Sequence, residues 1–184
     1  LTSPNDVIAV GPRSFYVTND VEPGRASLFG KLQFLSRAAS GKIYYYDGVA
    51  MRVAAEGLRF ANGIAINARE TRLYAVETAG QSLRIYDRDP ASGALTLAKI
   101  EPLPAAPDNL NIAWDGSVWI GAQPKPLSVP LVERDPTLHA PSLVIRYVDQ
   151  EGVATPMTEV FSDSGEAIST ATVAAISGSR LLIG

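Results

Sequence analysis

The strongest constraint on this chain is an internal repeat of four short apolar runs separated by turn residues. The clearest unit reads NGIAIN (62–67), RLYAVE (72–77), SLRIYD (82–87) and TLAKI (96–100). A second unit has the same grammar in NLNIA (109–113), SVWIG (117–121), 142–148 and 154–161. An earlier one runs NDVIAV (5–10), SFYVT (14–18), KIYYYD (42–47) and MRVAAE (51–56). After these come TVAAI (172–176) and RLLIG (180–184). Short runs rich in Val, Ile, Leu and Tyr, bounded by Gly, Pro, Asp and Ser, predict antiparallel strands. The turns at 68–71 and at DPASG (89–93) carry good hairpin chemistry.

Four strands per repeat at this period predict an all-β fold, a β-propeller whose blades are the repeats. A generic β-sandwich is the alternative, since it also has short strands and turns. The expected organisation is one partial propeller domain over 1–184, with units at about 5–56, 62–100, 109–161 and 170–184. That amounts to about three and a half blades. The expectation is therefore of an incomplete propeller, because three and a half blades leave sheet edges exposed. Segment 28–39 (LFGKLQFLSRAA) is the best helical candidate, a short helix in a loop. A loop holding Pro124, Pro126, Pro130, Pro136 and Pro141 separates two strands of the third unit.

Composition narrows the chemistry. Hydrophobic residues make up 46% and charged residues 19%, as in an ordinary folded globule. A net charge of -3, with Lys and Arg scattered, gives no footprint for nucleic acid. No apolar run has membrane-spanning length. The chain opens on LTSPNDVIAV without a basic region followed by an apolar one, so these residues show no signal peptide. Cysteine is absent, which excludes disulfides, thiol nucleophiles and thiolate metal sites. His139 is the single histidine and sits in an expected outer loop (137–142), so a zinc site and a histidine-based catalytic role are not expected. Ser36, Ser40 and Ser169 lack a nucleophile-elbow context. Trp114 and Trp119 flank the Asp115-Gly116 turn and are read as packing residues, and Tyr44, Tyr45 and Tyr46 as a half-buried strand.

Each unit opens with an asparagine: Asn5, Asn62 and Asn109, with Asp6 and Asp108 beside two of them. In a propeller the first strand of every blade lines the central channel, so equivalent positions gather at one end of it. Amide and carboxylate oxygens without His or Cys suit calcium, which accepts six to eight such ligands at flexible geometry. For any one of them, a strand-initiating Asx-turn explains the residue equally well. The recurrence of one residue type at one place favours the metal.

Four segments, SPNDVIAVGPRSFYVTND, VAAEGLRFANGIAI, PDNLNIAWDGSVWIGAQP and STATVAAISGSRLLIG, resemble the second half of paraoxonase-type arylesterases. The resemblance runs in order over nearly the whole chain. It implies a six-bladed propeller with two calcium ions, within the wider SMP-30/gluconolactonase-like group, that hydrolyses lactones and aryl esters. By position, Asn5, Asn62, Asp108 and Asn109 would be ligands of the catalytic calcium, and Asp6 a ligand of a structural one. Asp20 would support the family's histidine pair, and Asp108 is the carboxylate placed to assist an attacking water. The acidic ligand pair and the two histidines of the family have no counterpart in these residues. The chain by itself is accordingly expected to bind calcium weakly and to hydrolyse little. The expected partner is a small ester or lactone; substrate identity, oligomeric state and compartment are not legible. A gluconolactonase-like or strictosidine-synthase-like enzyme, or a non-catalytic calcium-stabilised scaffold, are the alternatives.

Overall fold

The computed structural model describes residues 1–22, 24, 32, 35–135, 137–149 and 157–184. Among these it contains three four-stranded antiparallel sheets and one two-stranded sheet, each a simple meander in chain order. The first is β1 (Pro4–Ala9), β2 (Phe15–Asn19), β3 (Gly41–Tyr46) and β4 (Met51–Leu58). The second is β5 (Ala61–Ile66), β6 (Arg72–Glu77), β7 (Ser82–Arg88) and β8 (Leu95–Pro102). The third is β9 (Ala106–Ile112), β10 (Val118–Gln123), β11 (Ser142–Tyr147) and β12 (Thr158–Asp163). The fourth pairs β13 (Ala174–Ser177) with β14 (Arg180–Ile183). The chain divides into two compact units, Leu1–Pro102 and Leu103–Gly184.

Within each four-stranded sheet, burial tracks strand position. β6 is buried at five of its six residues, whereas β8 is almost wholly exposed, and β4 and β12 are each exposed at four residues. The outermost strand thus turns polar side chains such as Glu56 and Lys99 toward solvent, together with large apolar ones such as Met51, Val53, Leu97 and Ile100. β3 alternates strictly, with Gly41, Ile43 and Tyr45 buried and Lys42, Tyr44 and Tyr46 partly exposed, as a half-buried strand must.

In the first unit, Tyr16, Ile43, Tyr45 and Leu58 of the first sheet pack against Ala61, Ile64, Leu73, Ala75 and Tyr86 of the second. Removing the larger of these, such as Ile43, Leu58, Ile64 and Leu73, from water stabilises by about 1.5–3 kcal/mol each. A polar seam completes the joint. The Tyr16 hydroxyl donates to the Gly93 carbonyl at 2.8 Å and accepts from Arg88 Nε at 3.0 Å, while Arg88 also donates to the Glu70 carbonyl at 2.7 Å. Gly93, at φ +68°, lies against the Tyr45 ring, a place with no room for a side chain.

Two sequence expectations need adjustment. The Pro-rich connection between β10 and β11 contains a 3₁₀ turn (Pro126–Ser128) running into a short helix, α1 (Val129–Arg134), whose Pro130 stands in the first turn, where proline is tolerated. Trp114 is 89% exposed at the β9–β10 turn and is no packing residue. The turn Ala113–Ser117 closes tightly through its own backbone and the Asp115 carboxylate, which holds the Trp114 ring out in solvent. His139 is exposed in a loop, as read. Of segment 28–39, Leu32, Leu35 and Ser36 are helical; residues 28–31, 33 and 34 lie outside the described residues, as do 154–156 of the strand expected at 154–161. Among the described residues no helix is long and apolar enough to cross a membrane.

Candidate functional site

The candidate asparagines sit on irregularities that recur in the first strand of each four-stranded sheet. In the β1–β2 ladder Pro4 pairs with Asn19 and Val7 with Val17, so Asn5 and Asp6 face Thr18 alone. In β5–β6 Ala61 pairs with Glu77 and Ile64 with Ala75, so Asn62 and Gly63 face Val76. In β9–β10 Pro107 pairs with Ala122 and Leu110 with Ile120, so Asp108 and Asn109 face Gly121. Each is a β-bulge, two residues opposite one, which bends the strand and re-aims its side chains. The fourth sheet repeats the device just before β13: the Thr172 and Val173 amides both donate to the Gly184 carbonyl, at 2.7 and 3.2 Å. Thr172 thereby holds the place that Asn5, Asn62 and Asp108 hold in their own sheets.

In the first unit the bulged residues are tied down through their polar atoms. The Asp6 amide donates to Thr18 Oγ1 at 3.0 Å. Its carboxylate accepts the Val7 amide at 2.8 Å on Oδ1 and the Ile64 amide at 2.9 Å on Oδ2, which joins the two bulges directly. Asn62 is 5% exposed, and its Nδ2 donates to Thr78 Oγ1 at 2.9 Å, which turns the amide oxygen away from Thr78. Phe60, one residue before β5, is held in the left-handed region at φ +63°, where its carbonyl accepts the Thr78 amide.

Asp20 follows β2 at the end of the first sheet where β1 begins. It is fully buried; Oδ1 accepts the Val21 amide at 2.7 Å and its own amide donates to the Ser3 carbonyl. Neighbouring Asn19 secures that edge, its Oδ1 accepting the amides of Thr2 and Ser3 at 2.9 Å each.

In the second unit Asp108 is gripped on both oxygens. Asn109 Nδ2 donates to Oδ1 and Gln123 Nε2 to Oδ2, each at 3.2 Å. The Asn109 amide donates to the Thr172 carbonyl at 2.9 Å, seating the β9 bulge against the entry to β13. Gly121 makes this approach possible: a methyl there would lie 2.5 Å from the Val173 nitrogen. Gln123 and Thr172 were not singled out from sequence. The usable signal for Gln123 was its spacing of two from Gly121, which puts both on one strand face.

The structure brings Asn5, Asp6, Asp20 and Asn62 to corresponding strand ends of the first unit, and Asp108 and Asn109 to those of the second. All six are oxygen donors, the chemistry a hard cation requires. Among the described residues, no three His, Cys, Asp or Glu side chains form a cluster, so any cation here would depend on amide and main-chain oxygens beside its carboxylates. Asp6 and Asp108 fit that role, since a carboxylate has about four lone-pair sites and can accept hydrogen bonds while ligating. A separate cleft of about 300 Å³ in the first unit is lined by Arg59, Glu77, Gln81, Ser82 and Arg84 and holds none of the six. There Glu77, 2% exposed, is committed to Arg84 at 2.9 Å and to the Arg59 amide at 2.7 Å.

Comparison with known proteins places these features. The arylesterase family model matches residues 1–184. The chain is 30% identical over 185 aligned residues to serum paraoxonase/arylesterase 1 of Rattus norvegicus, covering 100% of this chain and 51% of that protein. It is 32% identical to serum paraoxonase/arylesterase 2 of Gallus gallus at the same coverage. The chain thus spans about half the length of the relatives it matches. Among solved structures it is similar to a calcium-binding regucalcin from Agrobacterium tumefaciens (TM-score 0.61, 18% identity, 98% of this chain and 52% of that one). It is also similar to a gluconolactonase from Xanthomonas campestris (TM-score 0.59, 18% identity, 100% and 54%). These two likenesses show the fold, an all-β propeller architecture in which each four-stranded meander is a blade. With a family match over every residue and homology along its whole length to two paraoxonase/arylesterases, the chain belongs to the arylesterase family.

Proposed function

We propose that this chain carries part of the machinery of a calcium-dependent hydrolase of lactones and aryl esters. The observation that carries the reading is the recurring bulge: three first strands break register at the same point, where Asn5, Asn62 and Asp108 stand first, with Asp6 and Asn109 second in two of the breaks. Each break forfeits regular ladder bonds and re-aims the side chains at it, which supports a role for them beyond pairing.

In this reading Asn5, Asn62, Asp108 and Asn109 are ligands of a catalytic calcium, and Asp6 of a structural one, each assigned from the place it holds in its own sheet. Bound calcium would polarise the substrate carbonyl and stabilise the negative charge developing on it. Asp108 accepts the proton of the attacking water, its plane fixed by the amides on its two oxygens. Asp20 is held rigidly in a fully buried setting, which suits a carboxylate that orients another group rather than one that reacts.

The relatives at 30–32% identity favour arylesterase chemistry over the gluconolactonase-like alternative, whose likeness extends to the fold. The test is turnover of phenyl acetate and of a simple lactone by the protein, with calcium and with a chelator. Hydrolysis that chelator abolishes and calcium restores, and that Asp108→Asn lowers by at least a hundredfold, supports the reading. Calcium-independent hydrolysis, or no binding of calcium in a direct titration, removes it. A melting temperature that calcium raises without any turnover would favour a scaffold.

A further inference from the structure

We infer that Gln123 is a positioning residue for Asp108, an inference that rests on reading Asp108 as a calcium ligand and proton acceptor. Gln123 closes β10 and is 5% exposed, so its amide must find partners inside the protein. Its Nε2 carries two N–H groups and has two acceptors in reach: Asp108 Oδ2 at 3.2 Å and the Ala171 carbonyl at 3.3 Å. One nitrogen therefore spans from the carboxylate in the β9 bulge to the main chain one residue before Thr172.

Two features make this more than a packing bond. The bulge removes Asp108 from the regular ladder, so strand pairing does not orient its side chain; Asn109 on one oxygen and Gln123 on the other do. Both donors are neutral amides. A lysine or arginine in the place of Gln123 would neutralise the carboxylate and repel a cation, whereas an amide fixes its direction and leaves its charge intact. Hydrogen-bonding partners of this kind orient metal-ligating carboxylates and set their affinity. Gln123 also couples that orientation to the segment leading into β13, whose Thr172 carbonyl accepts the Asn109 amide.

The experiment compares wild type, Gln123→Met, Asp108→Asn and the double variant by calcium titration and by steady-state hydrolysis of phenyl acetate. Methionine keeps the shape and removes both donors. The expected result is a calcium Kd raised about 10–100-fold in Q123M, with kcat reduced and KM for phenyl acetate within about twofold of wild type. The double variant should bind calcium no more weakly than D108N alone. Full additivity of the two losses, or unchanged calcium affinity in Q123M where D108N weakens it, would overturn the inference and leave Gln123 a packing residue. If wild type binds no calcium and D108N hydrolyses as wild type does, the functional reading has failed, and this inference with it. Should Q123M not fold, the side-chain amide resonances of Gln123 in wild type decide the matter. They are expected to shift on calcium addition in wild type and not in D108N; resonances indifferent to calcium overturn the inference.

Discussion

The Asp6 carboxylate accepts the main-chain N–H of Ile64 at 2.9 Å, so that a residue displaced by the bulge in one sheet satisfies the amide that follows the bulge in the next. Ile64 is buried at 3% exposure, and its N–H would otherwise have to be met by other means. Asp6→Ala is therefore expected to destabilise by about 1–3 kcal/mol, the cost of leaving such a group unmet. Asp6→Asn, which keeps an acceptor oxygen, should lose less. Amide hydrogen exchange checks the mechanism: Ile64 should exchange faster in D6A, and unchanged protection there would rule out the bridge.

Gly121 faces the β9 bulge at a contact that leaves no volume for a methyl group. In Gly121→Ala that methyl meets main-chain atoms of Thr172 and Val173 at 2.5–2.8 Å, and backbone cannot rotate away as a side chain can. Overpacking of this kind costs about 1–3 kcal/mol or more. The variant should melt earlier than wild type, with the Asn109 amide, bonded to Thr172, losing exchange protection first. Gly116, at φ +82° with open space around it, serves as the control: Gly116→Asn should change the melting temperature little, because asparagine tolerates the left-handed region.

Tyr16 links hydrogen bonding to alkaline stability. Burial pushes its hydroxyl above the ordinary tyrosine value, against the opposing pull of Arg88, and burial does the same for Tyr86. A raised acid is kept protonated in the folded state, so the unfolded chain ionises first as pH rises. The stability these groups contribute is intact below about pH 10, the ordinary tyrosine value, and declines above it. Urea melts from pH 8 to 11 should show this decline, and Tyr16→Phe should reduce its slope. At neutral pH the same variant should cost about 1–3 kcal/mol, because the Gly93 carbonyl and Arg88 Nε lose their shared partner.

The Glu77–Arg84 pair should behave as a buried ion pair does. Glu77→Ala leaves Arg84, 14% exposed at its side chain, without its carboxylate, an outcome worth about 3–5 kcal/mol when one partner is removed. Glu77→Met together with Arg84→Met should recover much of that loss, since a well-packed apolar pair of similar volume can replace a buried salt bridge. Chemical denaturation of the single and double variants measures the difference.

Most strands were legible in the sequence, because apolar runs between turn residues report directly on strand pairing. RLYAVE became β6 without a shift at either end, and SLRIYD became β7 with one residue added. The bulges were not legible. Asn5, Asn62 and Asn109 look like strand openers, since asparagine commonly starts a turn. The strands in fact begin earlier, at Pro4, Ala61 and Ala106, and pass through the asparagines out of register. Which dipeptide faces a single partner depends on the neighbouring strand, information no local pattern holds. The same blindness hid Gln123. The pattern SVWIG ends at Gly121, whereas β10 continues two residues further to pair with Ala106 of β9. The helix within VPLVER escaped notice because its leucine faces solvent and its proline reads as a breaker.

A two-against-one step in a strand also fixes which residues can be lost or gained in descent. Deleting one residue from Asn5-Asp6, Asn62-Gly63, Asp108-Asn109 or Thr172-Val173 would restore even pairing, straighten the strand and leave one side chain where the break now presents two. In β5 the pairing of Ala61 with Glu77 and of Ile64 with Ala75 would survive, but the bend that aims Asn62 would be lost. Length variation among descendants of this sequence should therefore collect in the connection around α1 and avoid these four dipeptides, whatever residues come to occupy them.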